Sequence, residues 1–392
     1  MNAEAKTVLL VDDEPANIQI VNSILKDTYK TRIATSGVKA LELANQVPAP
    51  DLILLDVMMP TMDGYEVCCR LKSADHTRDI PVIFLTGQTE IADETKGFAV
   101  GAVDYIHKPF SPAVVQARVR THLVLRGIRE QLAMQLQTIQ GEMDTARQIQ
   151  LSILPREIPA IKGLDMAARY IPMTSVAGDF YDFIPIDDHR IGILVADVSG
   201  HGMPAALISS MLKIALDGQI ECASEPARVL AGLNHALCGK FKGHFVTAAY
   251  VVVDTEMKSL LYAGAGHPPL VIMDQAAREA RHFTENGLFL GFFPQATYTA
   301  VEIPFKPGDW GVLYTDGILE MTDPSDEQFG LDRFKQFLQN NHGLSVGQYV
   351  DALLDELSRW SCLASGREQE DDITLLAFHF EDRAGLGREG SA

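Results

Sequence analysis

The chain is short of basic charge, short of cysteine and without a long apolar run, and each shortage removes a class of function. Its 392 residues carry 33 Lys and Arg against 52 Asp and Glu, a net of −19. Nucleic-acid binding needs clustered cations against phosphate, so no nucleic-acid partner is expected. No apolar stretch approaches the roughly 18 residues that span a bilayer, and the densest, 245–253, is about half that length. The N-terminal MNAEAKTVLL has an acid where a secretion signal would be basic, and the expectation is a cytoplasmic protein. Five cysteines without metal-ligand spacing read as reduced thiols. A cysteine phosphatase needs a thiolate and an arginine cradled by one loop, and these cysteines read more simply as buried small apolar residues. The 47% hydrophobic content excludes a disordered chain, and the length predicts two or three domains.

What is present is unevenly distributed. Residues 1–120 have a net charge of −4, residues 121–154 are neutral, and residues 155–392 hold −15. The first segment alternates continuous apolar runs (Thr7–Val11, Leu52–Leu55, Val82–Leu85) with amphipathic stretches such as Ala16–Leu25 and Gly64–Leu71. Strands of a parallel sheet read this way when both faces are covered, so a doubly wound α/β domain is predicted over 1–120. From Ala113 to Leu154 there is no proline, and nine apolar positions from Leu125 to Ile153 cover 28 residues in eight steps, a mean spacing of 3.5. That is a heptad seam, and the region 121–154 reads as a helical connector ended by Pro155. Such a helix either packs on its own domains or pairs with a second copy; the sharper expectation is a homodimeric coiled coil through 113–154. Beyond it, runs at Ala167–Ile171, Ile191–Val195, Thr247–Val253, Ser259–Ala263, Trp310–Tyr314 and Ile373–Phe378 predict strands of an α+β domain over 155–382. Helices are expected at Ala205–Leu216, Pro226–Leu237, Leu331–Asn340 and Gly347–Trp360. The tail 383–392 is small, polar and expected to be disordered.

Asp12 and Asp13 follow the first run and Asp56 follows Leu52–Leu55. The carboxyl ends of parallel strands converge on one crevice, where three carboxylates repel unless a hard cation such as Mg²⁺ joins them. Thr86 follows Val82–Leu85, and Lys108 follows Asp104–His107. A cation, a hydroxyl and Mg²⁺ around one carboxylate suit a phosphoryl group arriving there. Lys108–Pro109 fits a cis peptide that aims the lysine into the crevice. Singly, each residue is an ordinary turn or cap. Together, VDDE, LLDVMMPTMDG, FLTG and DYIHKPF resemble the receiver domain of two-component response regulators across residues 5–120. The resemblance implies a flavodoxin-like fold, Asp56 as phospho-acceptor, Asp12, Asp13 and Asp56 around Mg²⁺, Thr86 and Lys108 as phosphate contacts, Tyr105 as the switch aromatic, and a cognate histidine kinase as donor. Gly87 stands where family members usually carry Ala.

A second set of acids lies at expected strand ends: Gly178-Asp179-Phe180-Tyr181-Asp182 after one strand region, Asp197 after Ile191–Val195, Asp316 after Trp310–Tyr314, and Asp371-Asp372 before the final strand. Carboxylates delivered there, with glycines allowing close backbone approach, suit two bridged oxygen-ligated cations that acidify a shared water for attack on phosphorus. Any one Asp-Gly pair is by default a turn. The ordered set, with ARQIQLSILP (146–155), SVAGDFYD (175–182), VADVSGHGMPAAL (195–207), TAAY (247–250), AGHPPL (265–270), YTDGILE (314–320) and DDITLL (371–376), resembles the SpoIIE-like branch of the metal-dependent, protein phosphatase 2C-like superfamily. It implies an αββα sandwich with Asp179, Asp197, Asp316 and Asp371 as ligands of two Mn²⁺ or Mg²⁺ ions, joined by the Val198 carbonyl. Asp182 and Asp372 stand where ligation varies in the family and are further candidates. His201 and His267 invite a general-acid role, although a histidine in a Gly-Pro turn is more often a hydrogen-bond partner.

The resulting expectation is a response regulator whose output is a metal-dependent phosphoserine/phosphothreonine phosphatase. The resemblance alone supplies its substrate, a phosphorylated STAS-domain anti-sigma-factor antagonist in a partner-switching pathway. The alternative is a non-catalytic adaptor that binds a sigma factor or its regulators. A transcription factor lacks its basic recognition helix here. A sensor kinase is unsupported, since His122 is isolated and no glycine-rich ATP box follows.

Overall fold

The computed structural model describes residues 5–381 except 88–96, 275, 285, 342, 364–366 and 368. The tail 383–392 lies outside the described residues. The chain divides into two compact units, 1–139 and 140–392, with the division falling inside one long helix.

In the first unit five parallel strands, β1 (Thr7–Val11), β2 (Lys30–Ala34), β3 (Leu52–Asp56), β4 (Val82–Thr86) and β5 (Asp104–His107), lie in the order β2-β1-β3-β4-β5. Period-2 alternation sends Leu9, Val11, Ile53, Leu55, Val82 and Phe84 to one face, and Val8, Leu10, Leu52, Leu54, Ile83 and Leu85 to the other. Because helices cover both faces, the runs are apolar throughout. The helices are α1 (Pro15–Leu25), α2 (Gly37–Ala44), α3 (Gly64–Ser73) and the start of α4 (Pro112–Ile153). Ser36 and Asp63 cap α2 and α3 by accepting from Lys39 N and Glu66 N. The edge strand β2 (KTRIA) was not expected from sequence, because a half-covered edge strand carries no apolar run.

The helix α4 has 42 residues, about 63 Å at 1.5 Å per residue. Val115, Val119 and Leu123 pack it on the parallel sheet. Further along, Leu132, Leu136 and Ile139 of the heptad seam are 53%, 59% and 52% exposed.

The second unit is a four-layer sandwich. Its strands are β6 (Leu164–Ile171), β7 (Phe180–Pro185), β8 (Arg190–Val198), β9 (Val246–Asp254), β10 (Ser259–Ala265), β11 (Leu270–Asp274), β12 (Glu279–Phe283), β13 (Asn286–Gly287), β14 (Val301–Pro304), β15 (Trp310–Tyr314) and β16 (Ile373–Phe380). They form one sheet in the order β13-β10-β9-β8-β7, with β14 on β10, and another in the order β12-β11-β15-β16-β6. The outer face of the first packs on α5 (Met203–Asp217) and α6 (Pro226–Leu237), and that of the second on α7 (Gly330–Asn340) and α8 (Val346–Ser361). Between the sheets lie Ile191, Ile193, Val195, Ala249, Val251, Leu313, Leu376 and Phe378.

Strand parity then places the chemistry. Odd residues of β8 and β9 and even residues of β16 face the gap between the sheets, so Asp197, Thr247 and Thr374 continue those rows at one end of the inter-sheet layer. Two expectations about position are corrected. Asp197 lies within β8, which runs three residues past Val195, because Ala196, Asp197 and Val198 stay paired with Ala248, Thr247 and Val246. Asp179 precedes β7 rather than following a strand, since β6 ends at Ile171.

Candidate active sites

In the first unit Asp12 follows β1, Asp56 ends β3 and Lys108 follows β5, so parallel strands deliver all three to one end of the sheet. Asp12, Asp13 and Asp56 offer oxygen atoms within 4.8 Å of one another. Lys108 Nζ donates to Asp12 Oδ2 and to Asp56 Oδ1, each at 2.9 Å, and Lys108–Pro109 is cis. Burial raises the Asp56 carboxyl above its ordinary value, Lys108 opposes this, and Asp12 adds to the rise. Burial of Lys108 favours its neutral form, but the hydrogen bonds to Asp56 and Asp12 outweigh it and raise its pKa. Thr86 ends β4 beside Asp56's strand, and its carbonyl accepts from Lys108 N at 2.8 Å. Tyr105 is buried against Phe84 and Phe98, with ring centroids 5.8 and 5.1 Å away, and any side chain at Gly97 would collide with its hydroxyl. A Cβ at Gly87 would meet nothing within 4 Å, so the usual Ala would fit.

In the second unit the acids gather around Asp179, which is 2% exposed, and Asp197. Thr315 and Thr374 both donate their hydroxyls to Asp179 Oδ2, at 2.7 and 2.6 Å. The two threonines also bind each other's strands, Thr374 N to Thr315 Oγ1 at 2.9 Å and Thr315 N to Thr374 O at 3.0 Å. Burial lifts the Asp179 pKa well above the carboxylate range, and Asp197 adds to it. Asp197 is pushed up to about 7 by burial and then by Asp316, Asp371 and Asp372. Asp316 is pushed up to about 6 by burial, Asp371 and Glu320. Asp316 opens a single 3₁₀ turn, and a side chain at Gly317 would collide with the Asp372 carbonyl. The Val198 carbonyl lies against Gly178, where an added Cβ would come within 2.8 Å of it. Glycine at both positions is what allows three loops to close on one pocket.

The two further candidates take other places. Asp372 accepts from Met173 N and Gly178 N, both at 2.7 Å, and so anchors the loop before Asp179. Asp182 lies on the helix-facing side of β7, 2.8 Å from Lys213 Nζ of α5. Among the described residues, the acids that press on Asp197 most strongly are Asp316, Asp371 and Asp372. Among the described residues, no three acids of this pocket bring ligand atoms within 4.8 Å of one another, unlike Asp12, Asp13 and Asp56. His267 is buried, 2.9 Å from Thr247 Oγ1, and pushed down to about 3 by burial, so it is neutral and serves as a hydrogen-bond partner. His201 is exposed on the turn after β8. The buried Cys68 thiol is pushed up to about 11, away from thiolate chemistry.

Sequence reasoning missed Thr315, Thr374 and Gln150. Gln150 on α4 donates to Ala177 O at 2.6 Å and accepts from Ala177 N at 3.0 Å, gripping the residue two before Asp179. All three fall inside motifs read from the sequence, but their spacing gave no reason to assign them partners 27 to 195 residues away.

Two family models match separate parts of the chain. The family model for the response regulator receiver domain matches residues 8–120, and that for stage II sporulation protein E (SpoIIE) matches residues 187–381. Phosphoserine phosphatase RsbU of Bacillus subtilis is 32% identical over 258 residues, covering 65% of this chain and 72% of that protein. A probable cyclic di-GMP phosphodiesterase of Vibrio cholerae is 50% identical over 117 residues, and the chain spans only 26% of its length. Among solved structures, the SiaA-PP2C domain of Pseudomonas aeruginosa matches 64% of this chain and 99% of its own, with a TM-score of 0.57 and 28% identity.

Proposed function

Because the chain belongs to the SpoIIE-type phosphatase family and joins such a domain to a response-regulator receiver, we propose that it is a two-component regulator whose output is metal-dependent hydrolysis of phosphoserine or phosphothreonine in a protein. The observation that carries this is the gathering of Asp179, Asp197, Asp316 and Asp371 into one pocket, close enough that Asp197 acts on Asp179 and Asp316 and Asp371 act on Asp197. A donor set of carboxylates plus the Val198 carbonyl fits Mn²⁺ or Mg²⁺, which prefer oxygen. Bound there, two such ions supply Lewis acidity that acidifies an attacking water and neutralises charge on the phosphoryl oxygens. This chain's residues do the rest. Thr315 and Thr374 fix the Asp179 oxygen that they share, Asp372 sets the loop that carries it, and Asp197 is held rigid by its ladder partner Thr247.

In the receiver, residues 1–120 on this reading, Asp12, Asp13 and Asp56 hold Mg²⁺. An Asp56 oxygen attacks the phosphohistidine of a kinase, the N–P bond breaks, and Lys108 and Thr86 bind the transferred phosphoryl oxygens. Tyr105 is the switch aromatic. The connector, 121–154, then acts on the phosphatase, 155–382, through Gln150, whose grip on Ala177 ties α4 to the Asp179 loop. The substrate that best suits a relative of RsbU is a phosphorylated STAS-domain anti-sigma-factor antagonist.

The test is turnover of p-nitrophenyl phosphate and of phosphorylated STAS-domain proteins from the same genome, with Mn²⁺ and then with chelator. Wild type should be active and silenced by chelation, and Asp197→Ala should lose at least about 100-fold, the scale of removing a charge-stabilising group. Full activity in a folded Asp197→Ala protein would sink the assignment.

A further inference from the structure

The turn that follows Asp197 is tied to a neighbouring loop. Ser199 N donates to Phe245 O at 3.0 Å, Phe245 N donates to Ser199 Oγ at 2.9 Å, and His244 Nδ1 lies 2.8 Å from the Ser199 carbonyl oxygen. The next residue, Val246, exchanges two backbone hydrogen bonds with Leu290, at 3.1 and 2.7 Å. The metal-site turn is therefore two short steps from the segment 288–293, Leu-Phe-Leu-Gly-Phe-Phe.

That segment is fixed from behind. Asn234, 2% exposed, accepts from Gly291 N at 2.9 Å and donates to Phe293 O at 2.8 Å. Gly239 N donates to Gly291 O at 3.2 Å, and the Phe241 ring packs on Gly291 so closely that a Cβ there would fall 2.7 Å from it. A loop pinned in this way could bury its phenylalanines, yet Phe292 is 56% exposed, Leu288 50% and Phe293 37%. The rings are contiguous. Phe289 lies 4.4 Å from Phe245, 5.8 Å from Phe292 and 5.4 Å from Phe293, and Phe292 lies 5.0 Å from Phe293. Aromatic side chains presented to water on a rigid backbone are the usual anchors of a protein interface.

Charge narrows the occupant. Residues 286–301 contain no charged residue, and residues 239–246 contain Lys240 and Lys242 but no acid, in a region whose net charge is −15. Both lysines are exposed. A domain of net negative charge repels an anionic phosphoprotein, and a rim with two lysines and no acid weakens that repulsion locally.

We propose that Leu288, Phe289, Phe292 and Phe293, flanked by Lys240 and Lys242, are the docking surface on which a folded phosphoserine protein seats an apolar patch while its phosphoserine enters the adjacent acidic pocket. The inference rests on the phosphatase reading above and adds what selects the substrate. Binding energy from this surface is separate from the reacting group, so it should appear in KM for a protein substrate and not in turnover of a small phosphoester.

The experiment uses the full chain with Mn²⁺ and compares wild type, Phe292→Ser/Phe293→Ser and Lys240→Glu/Lys242→Glu. Substrates are p-nitrophenyl phosphate and the phosphorylated STAS-domain protein that wild type cleaves fastest. The phenylalanine pair should lower kcat/KM for the phosphoprotein at least about tenfold through KM, the scale of losing an interface anchor, and leave the small substrate within roughly twofold. The lysine pair should lower it too and flatten its dependence on salt. Unchanged phosphoprotein kinetics in the phenylalanine pair overturns the proposal. An equal loss on both substrates also overturns it, because the segment would then merely support the Asp197 turn. Self-association that the phenylalanine pair abolishes while phosphoprotein kinetics stay at wild type assigns the surface to a second copy instead. Wild type that cleaves p-nitrophenyl phosphate but no phosphoprotein removes the docked partner, whereas wild type inactive on both removes the phosphatase reading itself.

Discussion

Asp179 accepts two hydroxyl hydrogen bonds on a single oxygen, from Thr315 just after β15 and from Thr374 in β16, both belonging to the other sheet. Hydrogen bonds to a charged acceptor are worth about 1.5–3 kcal/mol each, so they favour the ionised form against burial and Asp197. Thr374→Val keeps the shape and removes one donor; we expect Mn²⁺ affinity, measured by calorimetry, to weaken about tenfold. Equal affinity would show that the hydroxyl does not hold the ligand. The raised values at Asp197, about 7, and Asp316, about 6, have a second consequence. Without metal, the folded domain retains protons that an unfolded carboxylate, ionising near 4, would already have released. Stability of the metal-free protein is therefore greatest below pH 4 as far as these groups are concerned, and it falls as pH rises from about 4 to 7. On the proposed reading, a divalent cation binding there would displace those protons. Melting temperature with Mn²⁺ minus that without should grow from pH 5 to 8, and calorimetry in buffers of different ionisation enthalpy should detect proton release. A pH-independent difference would contradict the shifts.

At the scale of elements, α4 is the informative one. Its 42 residues continue from a face packed on the receiver sheet to a turn gripping the loop before Asp179 through Gln150. Gln150→Ala would leave the buried Ala177 N–H and C=O short of partners, a cost of about 1–3 kcal/mol that falls on the loop before Asp179. We expect the variant to need several-fold more Mn²⁺ for half-maximal activity. Loading Asp56 with beryllofluoride, a mimic of its acyl phosphate, should change turnover in wild type and much less in the variant. The same response in both would place the route of communication elsewhere. The elements themselves were unevenly readable. The buried strands and amphipathic helices such as Pro226–Leu237 show in the sequence because burial on a defined face imposes apolar periodicity. The strands β2, β7, β11, β12, β13 and β14 were not expected. Several are short or lie at sheet edges, and β7 alternates an acid, Asp182, with aromatics because its partner Lys213 lies across the helix layer.

At the scale of the whole molecule, the seam of α4 decides whether one copy is the working unit. Leu132, Leu136 and Ile139 are each more than half exposed on a helix that by length needs a partner. A parallel pair of α4 helices would cover them. Light scattering should give twice the 43.0 kDa chain mass, and Leu132→Ser/Leu136→Ser/Ile139→Ser should return the single-chain value with the receiver still folded. A monomeric wild type at micromolar concentration would rule out the coiled coil. No described helix is long and apolar enough to cross a membrane, so the exposed seam is not a span.

The order of acids, the apolar runs and the heptad spacing are local properties of the chain, and the sequence by itself determined two acidic centres separated by a long helix. Tertiary structure decided which groups act on which. Asp179 meets Thr374 across 195 positions, and Asp182 turns to Lys213 instead of the acidic pocket. In the apolar segment 288–293, Leu290 enters the core while Leu288, Phe292 and Phe293 stay exposed, with Asn234 holding the backbone at Gly291 and Phe293. Those outcomes depend on strand parity and on which strands pair, and a one-dimensional pattern records the first only within a strand and the second not at all.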